Sequence, residues 1–215
     1  MVNLCGHATL AAAHYCFTSG VVTTETVEFS TISGILTAKK VFIESKNGEI
    51  EQPFNIELNF PAITSTECSS DEISSISKVF GDHISVLDMK KTASDNLLVV
   101  LPSAKDVTDV QLDIEEIKKC PGGGLIICAA ASPESGFDFF SRFFCPKYGI
   151  NEDPVCGSAH CALAHYWSKK MEKSDFIAFA ASSRSGIVKL HLDEQKNRVK
   201  LQGEAVTVME GFVVV

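Results

Sequence analysis

Two short segments carry the residues of this chain best suited to chemistry. Residues 5–15 read Cys-Gly-His-Ala-Thr-Leu-Ala-Ala-Ala-His-Tyr, and residues 156–166 read Cys-Gly-Ser-Ala-His-Cys-Ala-Leu-Ala-His-Tyr. Seven of the eleven positions agree at a constant offset of 151. Each segment sets a thiol and a glycine ahead of an Ala-rich run that reads as a helix. The first N–H groups of a helix have no intrahelical partner and carry partial positive charge. Glycine lets a ligand come close to that backbone. Such helix starts bind carboxylates, so Gly6, His7, Gly157 and Ser158 are candidate substrate-binding residues. His7 and Ser158 occupy the same repeat position and would face each other across a cleft between the two repeats.

Glu152-Asp153-Pro154 leads directly into the second segment. The ring of Pro154 biases Asp153 to extended backbone, which would hold its carboxylate beside the helix start. An acid, a hydroxyl and an imidazole then converge, as proton transfer requires. His7, Asp153 and Ser158 are therefore the candidate catalytic residues. Cys5 and Cys156 form an alternative pair. A helix N-terminus lowers a thiol pKa, and a thiolate and a thiol could take a proton from one face of a carbon and return one to the other.

The elements that position these residues are also duplicated. Ser30-Thr-Ile-Ser-Gly-Ile-Leu36 parallels Ser182-Ser-Arg-Ser-Gly-Ile-Val188 at an offset of 152, so one residue has been inserted between the two matches. The pattern predicts a helix from Gly6 to Phe17, apolar on nearly every side and hence buried all round. Strands follow at 26–31, 35–44 and 54–60, with turns at Ser33-Gly34 and Asn47-Gly48. A polar link at 64–71 opens the second half. There the expectations are a short helix begun by Asp71-Glu72, strands at 84–89 and 96–101, and a helix from Asp113 through Lys119. A strand pair at 125–131 and 137–144, a loop at 145–155 and a buried helix at 157–170 come next. Strands at 175–182, 186–192, 198–202 and 205–214 complete the chain. Gly122-Gly123-Gly124 reads as a flexible turn, because no Lys-Ser/Thr follows to make it a phosphate loop. His14, His160 and His165 read as structural.

The fold class is α+β: a mainly antiparallel sheet wrapped around one apolar helix, made twice. The expected domains are 1–61 and 62–215. Residues 62–155 precede the second Cys-Gly, but only Met1–Leu4 precede the first. If the halves are duplicates, the first domain lacks its upstream portion.

Composition bounds the function. Formal net charge is −8, from 19 Lys+Arg against 27 Asp+Glu. An acidic chain without a basic cluster does not attract phosphate backbones, which argues against nucleic acid as a partner. No apolar run reaches the roughly 20 residues of a membrane span, and the N-terminus lacks the basic start of a signal peptide. The eight cysteines are expected as reduced thiols of a cytoplasmic protein, and their spacing suggests no zinc site.

Leu-Cys-Gly-His-Ala-Thr-Leu-Ala at 4–11 and Glu-Asp-Pro-Val-Cys-Gly-Ser-Ala-His at 152–160 resemble the two signature motifs of the phenazine-biosynthesis PhzF family. The resemblance runs along the whole chain. It implies two pseudo-symmetric domains of the diaminopimelate-epimerase type, often in homodimers, working without metal or organic cofactor. The implied activity is isomerisation, a proton moved between carbons of a small carboxylate-bearing metabolite. By resemblance His7, Asp153 and Ser158 match the family's active-site histidine, aspartate and serine. The family's principal proton-transferring glutamate lies upstream of the Cys-Gly-His motif, and no residue here matches it. Related racemases and epimerases of amino acids carry a cysteine pair at the two helix starts, the pattern of Cys5 and Cys156. A truncated, non-catalytic binding form is a further alternative.

Overall fold

The computed structural model describes residues 4–44, 50–81 and 84–211. The expected turn at Asn47-Gly48 lies outside these. The chain divides into two compact units. The first comprises residues up to Phe60 together with those from Lys200 onward, and the second runs from Pro61 to Val199. The final residues, expected with the second domain, thus cluster with the first.

In the first unit helix α1 (Gly6–Thr18) precedes strands β1 (Thr26–Thr31), β2 (Gly34–Glu44) and β3 (Ile50–Pro61). The strands pair in sequence order and antiparallel. The hairpin from Thr31 to Gly34 closes over Ile32-Ser33, where Gly34 adopts the left-handed φ of +88°. Helix α1 is not buried all round. Only its Ala13 and Phe17 are buried, and Tyr15 is 64% exposed. The strands of this unit screen one side of the helix, so an all-apolar sequence ends with one covered face. Lys40 fastens that face. Its ammonium donates to the Phe17 carbonyl at 3.3 Å and lies 4.8 Å from the centre of the Phe54 ring, a favourable place for a cation at a helix C-terminus.

The second unit is built on strands β4 (Ser65–Glu67), β5 (Asp88–Thr92), β6 (Asn96–Val100), β7 (Gly124–Ala130), β8 (Phe139–Cys145), β9 (Ile150–Asp153), β10 (Asp175–Ala180) and β11 (Gly186–Asp193). They lie in the order β11-β10-β8-β7-β6-β5-β4, with β9 added to β8. Only β10–β8 and β6–β7 run parallel. A last strand, β12 (Arg198–Gly203), carries the boundary between the units.

Every residue of β6 is buried, because both faces of the central strands are covered. Leu97 and Val99 of β6 share one cluster with Leu125 and Ile127 of β7, packed against helices α2 (Ser70–Phe80), α3 (Ala104–Asp109) and α4 (Ile114–Lys119). The alternate residue Ile126 points to the opposite face, as the two-residue period of a strand requires. It meets Ala159 and His160 of helix α5 (Gly157–Met171) there. Helix α5 is buried on nearly all sides, from Ala159 through Ser168. Its Trp167 stacks on Phe139 with ring centres 5.8 Å apart, and its Tyr166 hydroxyl donates to Asp88 at 2.8 Å.

Several local expectations need correction. Helix α2 begins one step earlier than Asp71-Glu72, because Ser69 is the cap. Its hydroxyl accepts from the Glu72 N–H while the Glu72 carboxylate accepts from the Ser69 N–H, a capping box. The first strand after it starts at Asp88 rather than residue 84. Ser103 caps a helix, α3, that the sequence reading leaves unassigned. The polar link contains strand β4, and the loop at 145–155 contains strand β9. No strand forms over residues 204–211. The three glycines are a close-packed crossing rather than a flexible turn. A methyl group on Gly122 would sit 2.4 Å from the Asp95 carbonyl, and one on Gly124 would sit 2.7 Å from that of Phe144.

The repeat survives as structure: α1, β1, β2 and β3 recur in the order α5, β10, β11 and β12. What differs is burial. Leu163, in the fully enclosed helix, is 0% exposed, whereas Leu10 of α1 is half-buried. Leu163→Ala is expected to cost about 2–5 kcal/mol, the range for emptying a packed core position. Leu10→Ala should cost distinctly less. Urea unfolding of the two variants checks the order.

Candidate active site

The candidate residues of the second unit are brought together by a hairpin, a turn and a helix start. Strands β8 and β9 pair antiparallel with Phe143 opposite Asp153, joined through a 3-10 turn at Pro146–Tyr148. Arg142 braces the hairpin. Its guanidinium grips Glu152 in a fork, with contacts of 2.6 and 3.1 Å. It also donates to the carbonyls of Val107 and Val110 at the end of α3, at 3.2 and 2.8 Å. Bidentate pairing of this kind fixes orientation as well as adding energy.

Beyond the hairpin the chain turns into α5. The Asp153 carboxylate accepts from the Val155 N–H at 3.0 Å, the local bond that aspartate makes in a turn. The Ser182 hydroxyl donates to the Pro154 carbonyl at 2.8 Å. Gly186 passes so close to Val155 that a methyl group there would sit 2.6 Å from its side chain. Cys156 is then the N-cap of α5, and no side-chain bond caps the helix there. Its sulfur lies 3.3 Å from the Ser158 hydroxyl. His160, one turn on, places Nδ1 2.7 Å from the Cys156 carbonyl and Nε2 3.4 Å from the Ser141 hydroxyl. A cavity of about 10 Å³ opens between Ser141, Arg142, Asp153, Cys156 and His160.

The electrostatics of the thiol run against the expectation of a reactive thiolate. Cys156 is pushed up to about 12, by burial first and by the negative charge of Asp153 second. The Ser158 hydroxyl and the backbone N–H of Ala159 pull the other way but are outweighed. The helix-start effect on a thiol is real, yet a buried thiolate pays desolvation that exceeds it.

Asp153, Cys156, Gly157 and Ser158 are thus brought together in the second unit. Cys5, Gly6 and His7 belong to the first. Cys5 caps α1 with no side-chain bond, and both Cys5 and His7 are exposed. Among the described residues, no group of three or more His, Cys, Asp or Glu side chains is placed to hold a metal ion. No described helix is long and apolar enough to cross a membrane.

The sequence matches the family model described as phenazine biosynthesis-like protein over residues 1–211. The chain belongs to the PhzF family. An "uncharacterized isomerase" of Halalkalibacterium halodurans is 37% identical to it, over 97% of this chain and 72% of that protein. A crystal structure of a PhzF-family protein of Enterococcus faecalis aligns with a TM-score of 0.76 at 32% identity, covering 94% of this chain and 70% of that one. A structure described as a predicted epimerase, from Pseudomonas aeruginosa, aligns at a TM-score of 0.65 with 15% identity, which shows a shared fold. The α+β class and the PhzF/epimerase-type fold expected from the sequence are therefore those of this chain, and its family is one of isomerases.

Around Asp153 and Cys156, the sequence reading leaves Arg142, Ser141 and Ser182 unassigned and takes His160 as structural. A spacing signal existed for His160, which lies four residues after Cys156 and so one helical turn above it. Arg142 and Ser141 carry no such signal, because their neighbours come from elsewhere in the chain.

Two outcomes follow from the buried thiol. Iodoacetamide under native conditions should label Cys5 and leave Cys156 unmodified until denaturant is added, as read by peptide mass spectrometry. Stability should also fall in alkali. The Cys156 thiol is pushed from its ordinary value of 9.0 up to about 12 on folding, and burial raises Cys128 and Cys161 as well. Above about pH 9 the unfolded chain loses these protons while the folded chain keeps them. Each thiol then removes up to about 1.4 kcal/mol per pH unit. Its full contribution is present below pH 9 and is lost as pH rises toward the folded value. Urea midpoints between about pH 8 and about pH 10.5 should decline, less steeply in Cys156→Ala.

Proposed function

We propose that this chain is an isomerase that moves a proton between carbons of a small carboxylate-bearing metabolite, with Asp153 and Ser158 acting on the substrate and His7 assigned by its motif position. One observation carries the reading. The Asp153 carboxylate and the Ser158 hydroxyl are gathered at the start of α5, a helix end with no side-chain cap. The helix start supplies partial positive charge for a substrate carboxylate, Ser158 a hydroxyl and Asp153 a group that accepts and returns a proton. Family membership supports the same assignment, since these residues and His7 match the motif positions that resemble the active site of PhzF proteins. The two-cysteine racemase reading loses support, because a thiol at about 12 is a poor base at neutral pH.

Incubation of the chain with a panel of small unsaturated carboxylic acids in heavy water tests this. Deuterium should enter at carbon, read by NMR. Asp153→Asn should lower the rate by about 100-fold or more, the usual contribution of a positioned acid or base. Cys5→Ser and Cys156→Ser should retain exchange. Exchange that survives Asp153→Asn but is lost in both cysteine variants would overturn the proposal.

A further inference from the structure

The two repeat helices solve the same local problem with different residues. Thr9 Oγ1 donates to the Cys5 carbonyl at 2.9 Å, and His160 Nδ1 sits 2.7 Å from the Cys156 carbonyl. Thr9 and His160 are equivalent positions of the repeat. A carbonyl only accepts, so Nδ1 of His160 carries the proton. Threonine is sufficient for that bond. Histidine brings a second nitrogen, and in the neutral ring Nε2 is then an acceptor. Burial pulls the ring's pKa down and so favours the neutral form, ahead of the opposing pulls from the Cys156 carbonyl and Asp153.

Nε2 faces the Ser141 hydroxyl at 3.4 Å, long for a direct O–H···N bond. Ser141 and His160 are each 2% exposed. Both line the cavity of about 10 Å³ that Asp153 also lines, a space on the scale of one water molecule. Arg142 lines it too, but four of its five N–H donors go to Glu152, Val107 and Val110. A carboxylate and an unprotonated Nε2 are both acceptors and cannot bond to each other. One water reconciles them by donating to each and accepting from Ser141. Three partners is the usual number for a buried water.

We propose that His160, Ser141 and Asp153 hold one ordered water in this cavity, and that through it His160 is a positioning residue for the Asp153 carboxylate. One carboxylate oxygen is taken by the Val155 N–H. The water holds the other, so the plane of the group is fixed. The functional weight of this arrangement rests on the reading of Asp153 as the proton-handling group, but its test needs no substrate.

The test is a high-resolution crystal structure of the chain, nitrogen-15 NMR of its histidines, and the variant His160→Thr, which copies the residue of the other repeat. Expected are water density within about 2.6–3.2 Å of all three groups, a protonated Nδ1 and an unprotonated Nε2. In His160→Thr the bond to the Cys156 carbonyl should persist while the water is lost and the Asp153 side chain takes several rotamers. A protonated Nε2, a cavity without density, or an unmoved Asp153 in the variant would each overturn the proposal. If the variant does not fold, the tautomer and density of the unaltered chain still decide. A catalytic failure of Asp153→Asn to matter would remove the isomerase reading while leaving this water site standing.

Discussion

A helix that begins inside an apolar environment must find partners for its polar end groups. That constraint organises the second unit. Helix α5 is enclosed from Ala159 onward, and an unpaired polar group at its start would cost on the order of 1–3 kcal/mol. The neighbours of that start pair the polar groups of the turn that leads into it. His160 donates to the Cys156 carbonyl, Ser158 lies against the Cys156 sulfur, Asp153 takes the Val155 N–H and Ser182 donates to the Pro154 carbonyl. The groups that could perform proton chemistry are the same ones that make burial of this helix end tolerable.

The brace behind them is electrostatic. Arg142 joins strand β8 to β9 through Glu152 and to α3 through two carbonyls. Its side chain is 11% exposed and that of Glu152 is 22% exposed. A half-buried charge pair of this kind contributes little net stability over an apolar replacement, yet breaking it leaves a charge unpaired. Its value lies in geometry, since it sets where the last residue of β9, Asp153, meets the turn into α5.

How much of this was legible in the sequence depends on the range of each interaction. The repeat, the two helix starts and the Asp-Pro turn are local patterns and could be read directly. Strand β9 and helix α3 could not, because four- and six-residue elements carry little periodicity of their own and exist through pairing with β8 and packing on the sheet. The glycines at 122–124 have the composition of a flexible turn. Their role comes from the carbonyls of Asp95 and Phe144, supplied by distant residues. The burial of α1 was overestimated for a related reason. Its apolar sequence states what it tolerates, while the neighbours decide what it receives, and they bury only Ala13 and Phe17 fully.

The two copies of the motif are alike in sequence and unlike in environment, and this bears on mechanism. A two-thiol racemase needs its cysteines to exchange roles, each serving as base in one direction and as acid in the other. That requires comparable settings. Here Cys5 lies exposed at the start of α1, while Cys156 is buried at the start of α5. The carboxylate of Asp153 further disfavours a thiolate at Cys156, and the repeat position equivalent to Asp153 is Val2. The duplication has thus been broken at the positions where symmetric chemistry would need it intact. His160 in place of Thr9 extends the same asymmetry, since it keeps the shared helix-start bond and adds an acceptor on the Asp153 side. A chain differentiated in this way gathers its polar groups around one carboxylate at one helix start, with the repeat supplying the framework.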